Sequence, residues 1–201
     1  MHILAVENIT ARQRGARISS NQVKRLTPEA IDQMSVPDDV AFAIKANSAV
    51  VTTLSAQIEL IEKRLQERMA ERADYILLTS VPGIGRVLAT MILLETGPID
   101  RFPSVGNFAS YARCVGSERT SNGKKKGEGN TKNGNKYLSW AFIEAAAHAL
   151  QNCAQAKRFY ERKKTKTNGV VAMKSLAHKL ARACFHILKE HKPFDVTRCF
   201  A

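Results

Sequence analysis

The chain has no apolar run approaching the roughly eighteen residues that a membrane span requires, so it is not expected to cross a bilayer. Its opening stretch, MHILAVENITARQRG, is apolar too briefly before Arg12 and Arg14 to serve as a secretory signal. Cysteine is sparse: Cys114, Cys153, Cys184 and Cys199 are widely separated, with no CxxC pair and no His at zinc-like spacing. This disfavours metal binding through them and reads as reduced core thiols of a cytoplasmic protein. His148, His178, His186 and His191 likewise read as structural or surface groups. No stretch shows strand alternation bounded by turn signals, and no internal repeat is evident. Acid is also scarce. Asp and Glu total 18 against 31 Lys and Arg, a net charge of +13. Such an excess repels itself and points to a polyanionic partner, most often nucleic acid.

What is present reads as helix. A hydrophobic share of 44% suffices for a core without staples. Residues 1–37 form a polar, broken N-terminal arm, with Thr27 and Pro28 marking one helix start as N-cap and first helical position. From Asp38 to about Arg72 there is neither Gly nor Pro, and residues 38–73 read as one long helix, about 50 Å by rise per residue. Ile44, Val51, Leu54, Ile58, Ile61 and Leu65 fall at alternating steps of three and four, with Asn47 in the one gap. That seam from Ile44 to Leu65 predicts either packing along the chain's own domain or a coiled coil that makes a homo-oligomer, where Asn47 would fix register. Residues 74–201 read as a small helical domain, with helices near 86–95, 102–112, 135–152 and 170–189. The fold class is therefore all-α.

Three tracts carry the functional reading. Val81-Pro82-Gly83-Ile84-Gly85-Arg86 has the form of a helix-hairpin-helix turn, in which Gly83 and Gly85 permit close approach and the amides before Arg86 face a phosphate. Residues 117–136, SERTSNGKKKGEGNTKNGNK, form a long Gly- and Asn-rich basic loop holding Arg119, Lys124, Lys125, Lys126, Lys132 and Lys136. A pliable cationic loop suits a phosphate-rich partner that orders it. A third basic tract, AKRFYERKKTK, includes Phe159 and Tyr160, which read better as the apolar side of a helix than as base-stacking rings.

The order of these pieces resembles a known family. LLTSVPGIG at 77–85, then Arg101-Phe102, FASY at 108–111, Ser121-Asn122-Gly123, KNGN at 132–135 and Tyr137-Leu138 are similar to the C-terminal transposase domain of the insertion-sequence-110 type. These are recombinases guided by a bridge RNA, with some site-specific DNA invertases as relatives. The likeness covers about Tyr75 to Ala201, including Lys192-Pro193-Phe194-Asp195, and the long helix resembles the coiled coil that precedes the domain.

The resemblance implies a serine nucleophile in the polar tract after the FASY helix, at Ser121, forming a covalent link to a DNA phosphate. Arg113, Arg119, Lys124, Lys125 and Lys126 are the cations near enough in sequence to steady the developing charge. Asn122 stands where many relatives carry Gly, which leaves Ser117, Thr120 and Thr131 as alternatives. The resemblance also implies an N-terminal RuvC-like half with four acidic residues that bind a divalent metal such as Mg. Nothing before Asp38 resembles it. The expectation is a split, truncated or remnant chain with no cofactor of its own, whose partners are DNA and, as a second candidate, a structured guide RNA in the nucleoid-bearing cytoplasm. Its rivals are a non-catalytic binding and dimerisation module, and a regulator that assembles with a full-length relative.

Overall fold

The computed structural model describes residues 1–116, 118–128 and 133–200, with the backbone alone at 118, 119, 120, 125 and 128. The chain divides into two compact units, Met1–Leu65 and Gln66–Ala201. Helices dominate both, and among the described residues no helix is long and apolar enough to cross a membrane.

The first unit is more ordered than a polar arm. Helices α1 (His2–Arg14), α2 (Ser20–Val23) and α3 (Pro28–Asp32) precede α4 (Asp38–Ala70). Val6, Val23, Ile31 and Ile44 are buried together as a small core. Polar residues within α1 disguise its inward face. Thr10 is buried, and its hydroxyl bonds back to the Val6 carbonyl at 2.9 Å. Glu7, also buried, accepts from Ser20 Oγ at 2.6 Å and pairs with Arg17. Thr27 caps α3 by accepting from Ala30 N, with Pro28 behind it, as the sequence predicts.

The long helix is continuous because nothing in 38–70 breaks it, and Asp38 and Asp39 suit its positive end. The heptad seam divides along it. Ile44 and Val51 are buried, whereas Leu54, Ile58 and Ile61 are exposed. Asn47 does not await a partner helix: its amide donates to Ala43 O at 2.8 Å and its Oδ1 meets His2 Nδ1 at 2.8 Å. The first half of the seam is thus satisfied within its own chain.

In the second unit, α10 (Gly169–Glu190) is the central element. It packs against α5 (Ala73–Thr79), α7 (Val105–Tyr111), α8 (Lys136–Asn152) and α9 (Ala154–Lys164). Its buried face, Leu176, Leu180, Cys184 and Ile187 among others, follows the helical period read from sequence. On α8 the buried face is Leu138, Ala141, Phe142, Ala145, Ala146 and Ala149, and its run of alanines lets α6 (Arg86–Thr96) come close. A 3₁₀ turn, Ile99–Arg101, leads to α7, and α11 (Val196–Phe200) packs on α9 and α10. Phe159 lies 6.1 Å from Phe200, ring centre to ring centre, and it packs on the core with Tyr160, the apolar role expected of them.

The basic tract is not a loop throughout. Strands β1 (Glu118–Ser121) and β2 (Lys124–Glu128) form an antiparallel hairpin, with Ser121 opposite Lys124. The Lys-rich strand has no apolar face to reveal it. The turn residues Asn122 and Gly123, both at positive φ (52° and 71°), are the local signal for the two-residue hairpin.

Candidate nucleic-acid interface

The turn between α5 and α6 is built by its residue types. Ile84 N donates to Val81 O at 3.0 Å, with Pro82 and Gly83 between, the order favoured in a type II turn. Gly83 has φ 86° and faces α8 so closely that a Cβ there would lie 2.7 Å from Ala149 N and nearer still to Ala145 O. Gly83 therefore seats the turn on α8. Gly85 has open space around it and N-caps α6 without a side-chain bond, and Arg86 is exposed next to it. An anion can reach the amides of the first turn of α6 from that side. The segment at 192–195 supports the turn from below, where Phe194 N donates to Ser80 Oγ at 3.0 Å.

A second frame holds the two ends of the basic hairpin together. At its entry, the chain leaves α7 through Arg113 at φ 55°, and Cys114 N donates to Ala109 O at 3.0 Å. At its exit, Asn135 N donates to Tyr111 O at 2.6 Å, and Arg113 Nε donates to Gly134 O at 3.0 Å. Gly134, at φ 95°, has no room for a side chain, since a Cβ would lie 3.2 Å from Ser110 O and closer to Tyr111 O. Asn135 then does three things. Its Oδ1 caps α8 by accepting from Tyr137 N at 2.8 Å and Leu138 N at 3.0 Å. Its Nδ2 donates to Glu95 Oε2 at 2.6 Å and more weakly to the Tyr111 hydroxyl at 3.4 Å. The bond from Asn135, and then Arg101, holds the Tyr111 phenol below its ordinary pKa. The Arg101 guanidinium also lies 4.6 Å from the ring centres of both Phe102 and Tyr111. Motif pieces separated by more than thirty residues in sequence thus meet at one point. The roles of Glu95 and Asn135 escaped the sequence reading, and the Asn before the helix was the signal that could have exposed the cap.

Ser121 stands at the tip of this hairpin, exposed, and no hydrogen bond engages its hydroxyl among the described residues. Directly opposed residues of a hairpin share a face, with Cβ atoms roughly 5 Å apart, which sets Lys124 beside Ser121. The register slips by one at the Arg119–Thr120 step, leaving Lys126 as the extra residue of β2. A bulge of this kind bends the strand and re-aims side chains. Lys124, Lys126 and Lys136 are exposed. The side chains of Arg119, Thr120 and Lys125, and the whole of Ser117, Thr131 and Lys132, lie outside the described residues. Structurally, Arg86 belongs to the α5–α6 turn, whereas Arg113, Ser121, Lys124, Lys126 and Lys136 belong to the hairpin and its base.

The cysteines are core groups: Cys114, Cys153 and Cys184 are buried and Cys199 partly so. Burial pushes the Cys114 thiol up to about 12 and that of Cys199 to about 11. Among the described residues no three His, Cys, Asp or Glu side chains are grouped to hold a metal ion.

Known proteins align with this frame. Residues 75–161, which run from α5 through most of α9, match the Transposase IS116/IS110/IS902 family. The Streptomyces coelicolor insertion element IS110 uncharacterized 43.6 kDa protein is 25% identical over 169 residues, covering 81% of this chain and 41% of that protein. The Yersinia enterocolitica transposase for insertion sequence element IS1328 is 27% identical over 146 residues, covering 71% of this chain and 44% of the relative. The chain thus spans less than half the length of either relative. The matched residues include the α5–α6 turn, the FASY helix, the Ser121 hairpin and its Asn135 clasp, and the chain carries a transposase domain of the IS110 type.

Proposed function

We propose that this chain is the DNA-contacting C-terminal part of a transposase, and that Ser121 attacks a DNA phosphodiester. The family match supports a role in transposition. The observation that carries the finer reading is the placing of Ser121: an exposed hydroxyl at a hairpin tip, paired across a two-residue turn with Lys124, on an arm clasped at its base. A nucleophile of this kind must reach into a backbone without burying its own helices, and a narrow hairpin meets that need. Attack would form an Oγ–P bond and break the bond from phosphorus to one deoxyribose oxygen. The serine proton passes to a base and the leaving oxygen takes up a proton. Lys124 and Lys126 would meet the negative charge that grows on the phosphoryl oxygens. The base would come with the DNA complex or from a partner chain. The metal-bearing half implied by the family resemblance would be such a partner. The α5–α6 turn would add phosphate contact through Gly85 and Arg86 as a helix-hairpin-helix, holding DNA without reading its sequence. A guide RNA would use the same cationic surfaces. Pairing with a second copy would fall to the exposed half of the seam, Leu54, Ile58 and Ile61.

The test is a covalent adduct. The chain, alone and with a full-length relative, is incubated with nicked DNA substrates, denatured and searched by mass spectrometry for a nucleotide on serine. An adduct mapped to Ser121 and absent from Ser121→Ala, with DNA affinity unchanged, supports the nucleophile. An adduct that persists in Ser121→Ala moves the role to Ser117, Thr120 or Thr131. No adduct under either condition favours the binding module.

A further inference from the structure

Tyr137 and Trp140 stand three residues apart near the start of α8, on the face turned away from buried Leu138, Ala141 and Phe142. They are 49% and 47% exposed. Residues at this spacing are neighbours on a helix surface. Trp140 is the chain's only tryptophan, and large aromatic faces left in water mark contact surfaces more often than chance would place them. The surface is held rigid at its start, because Asn135 bonds the Tyr137 and Leu138 amides and anchors to Glu95. It is also cationic there: Lys136 Nζ lies 4.9 Å from the Tyr137 ring centre. Glu95 is engaged by Asn135, and Glu144, one turn beyond Trp140, is the acid on the aromatic face. The hairpin with Lys124 and Lys126 enters α8 at this same end of the helix.

We propose that Tyr137 and Trp140 form a stacking surface for the unpaired bases of single-stranded DNA, with Lys136 meeting the adjoining phosphate. The proposal rests on the DNA-binding reading but is independent of which residue is the nucleophile. Flat, half-exposed rings match the π-faces of bases, which a duplex hides between its own pairs. A duplex offers such a surface only phosphates. A second copy of the chain fits less well: a two-fold contact centred on these rings would bring Lys136 toward its own mate, in a chain of net charge +13. Strand exchange necessarily exposes unpaired bases close to the scissile phosphate, and a rigid aromatic step at the foot of the Ser121 arm would hold them apart.

Trp140 supplies its own reporter. The full 201-residue chain is titrated with single-stranded oligothymidylate and with a duplex of equal length, at low salt, following tryptophan emission and, separately, anisotropy of labelled DNA. The expected result is that the single strand quenches Trp140 and the duplex binds without quenching. A Tyr137→Ala/Trp140→Ala variant should bind the single strand more weakly by on the order of tenfold or more while its duplex affinity stays within about twofold. Trp140→Phe, which keeps an aromatic face, should retain single-strand binding within about threefold. Thermal midpoints near wild type establish that each variant folds. Single-strand binding with unaltered emission overturns the proposal, as does an equal weakening for both DNA forms in the double variant. Emission that varies with protein concentration and ignores DNA also overturns it, assigning the face to a second copy. If neither DNA form binds at low salt, the DNA-binding reading falls and this inference falls with it.

Discussion

Gly83 lies against α8 so tightly that a Cβ would sit 2.7 Å from Ala149 N. It also has φ 86°, a conformation that L side chains rarely adopt. The two glycines of the turn are therefore expected to differ. Gly83→Ala should lower the stability of the second unit by about 3 kcal/mol or more, from overpacking against backbone plus the strained φ. Gly85→Ala, with open space and negative φ, should cost under about 1 kcal/mol. Denaturant unfolding checks both. Equal destabilisation would mean that α8 yields at Ala145 and Ala149.

Asn135 joins three elements, so its replacement should be felt beyond one cap. Asn135→Ala removes the bonds to the Tyr137 and Leu138 amides and leaves Glu95 without its donor. About 1–2 kcal/mol is expected from the cap alone. Asn135→Asp keeps the cap acceptor but sets a second carboxylate against Glu95, and it should remain less stable than wild type at neutral pH. Full recovery by Asn135→Asp would show that the Glu95 contact is immaterial.

Acid should loosen the C-terminal turn. Hydrogen bonds from Arg198 above all, at 2.8 Å to each oxygen, and then its charge and His186, hold the Glu190 carboxylate down to about 2 from 4.5. A depressed carboxylate stabilises the folded chain above its unfolded pKa, and that stabilisation disappears as pH falls through the folded value. The window is therefore pH 4.5 to 2. Glu7, Asp74 and Asp100 shift in the same direction, so the contribution is read as a difference between wild type and Glu190→Gln. The gap between their unfolding midpoints should close over that window, and a constant gap would contradict the assignment.

The thiols should be slow. Burial favours the neutral form of Cys114, Cys184 and Cys199, and the thiolate is the reactive species. A thiol reagent at mildly alkaline pH should modify the partly buried Cys199 first and the others only on unfolding. Prompt reaction of all four in the folded chain would refute the core placement.

Much of the helical frame was legible because its stops are local. Gly97 ends α6, Asn135 starts α8 and Asn168 starts α10, and each expected boundary falls within a residue of the one observed. The N-terminal unit was not legible, since Glu7 and Thr10 occupy its inner face and are satisfied by Arg17, Ser20 and the backbone. Of the two roles the heptad seam offered, Ile44 and Val51 take packing within the chain, and what the sequence hid is that Asn47 finds His2 across the same chain, a pairing with no sequence period. Ser121 and its lysines could be singled out from the family pattern, but their pairing depends on a strand, KKKGE, that has charge on every side. The Asn122-Gly123 turn was the one clue, and it lay inside a tract whose composition suggested a loop.

The most direct test of the account is the salt dependence of DNA binding by the whole chain. Wild type should bind duplex DNA at low salt, with log affinity falling linearly against log salt. Lys124→Ala/Lys126→Ala should reduce that slope by about 0.9 for each phosphate that the variant no longer neutralises. The thermal midpoint should stay within about 2 °C of wild type, because both positions are exposed. An unchanged slope in the double variant, or no binding by wild type at low salt, would contradict the claim that the Ser121 hairpin is a DNA-contacting arm.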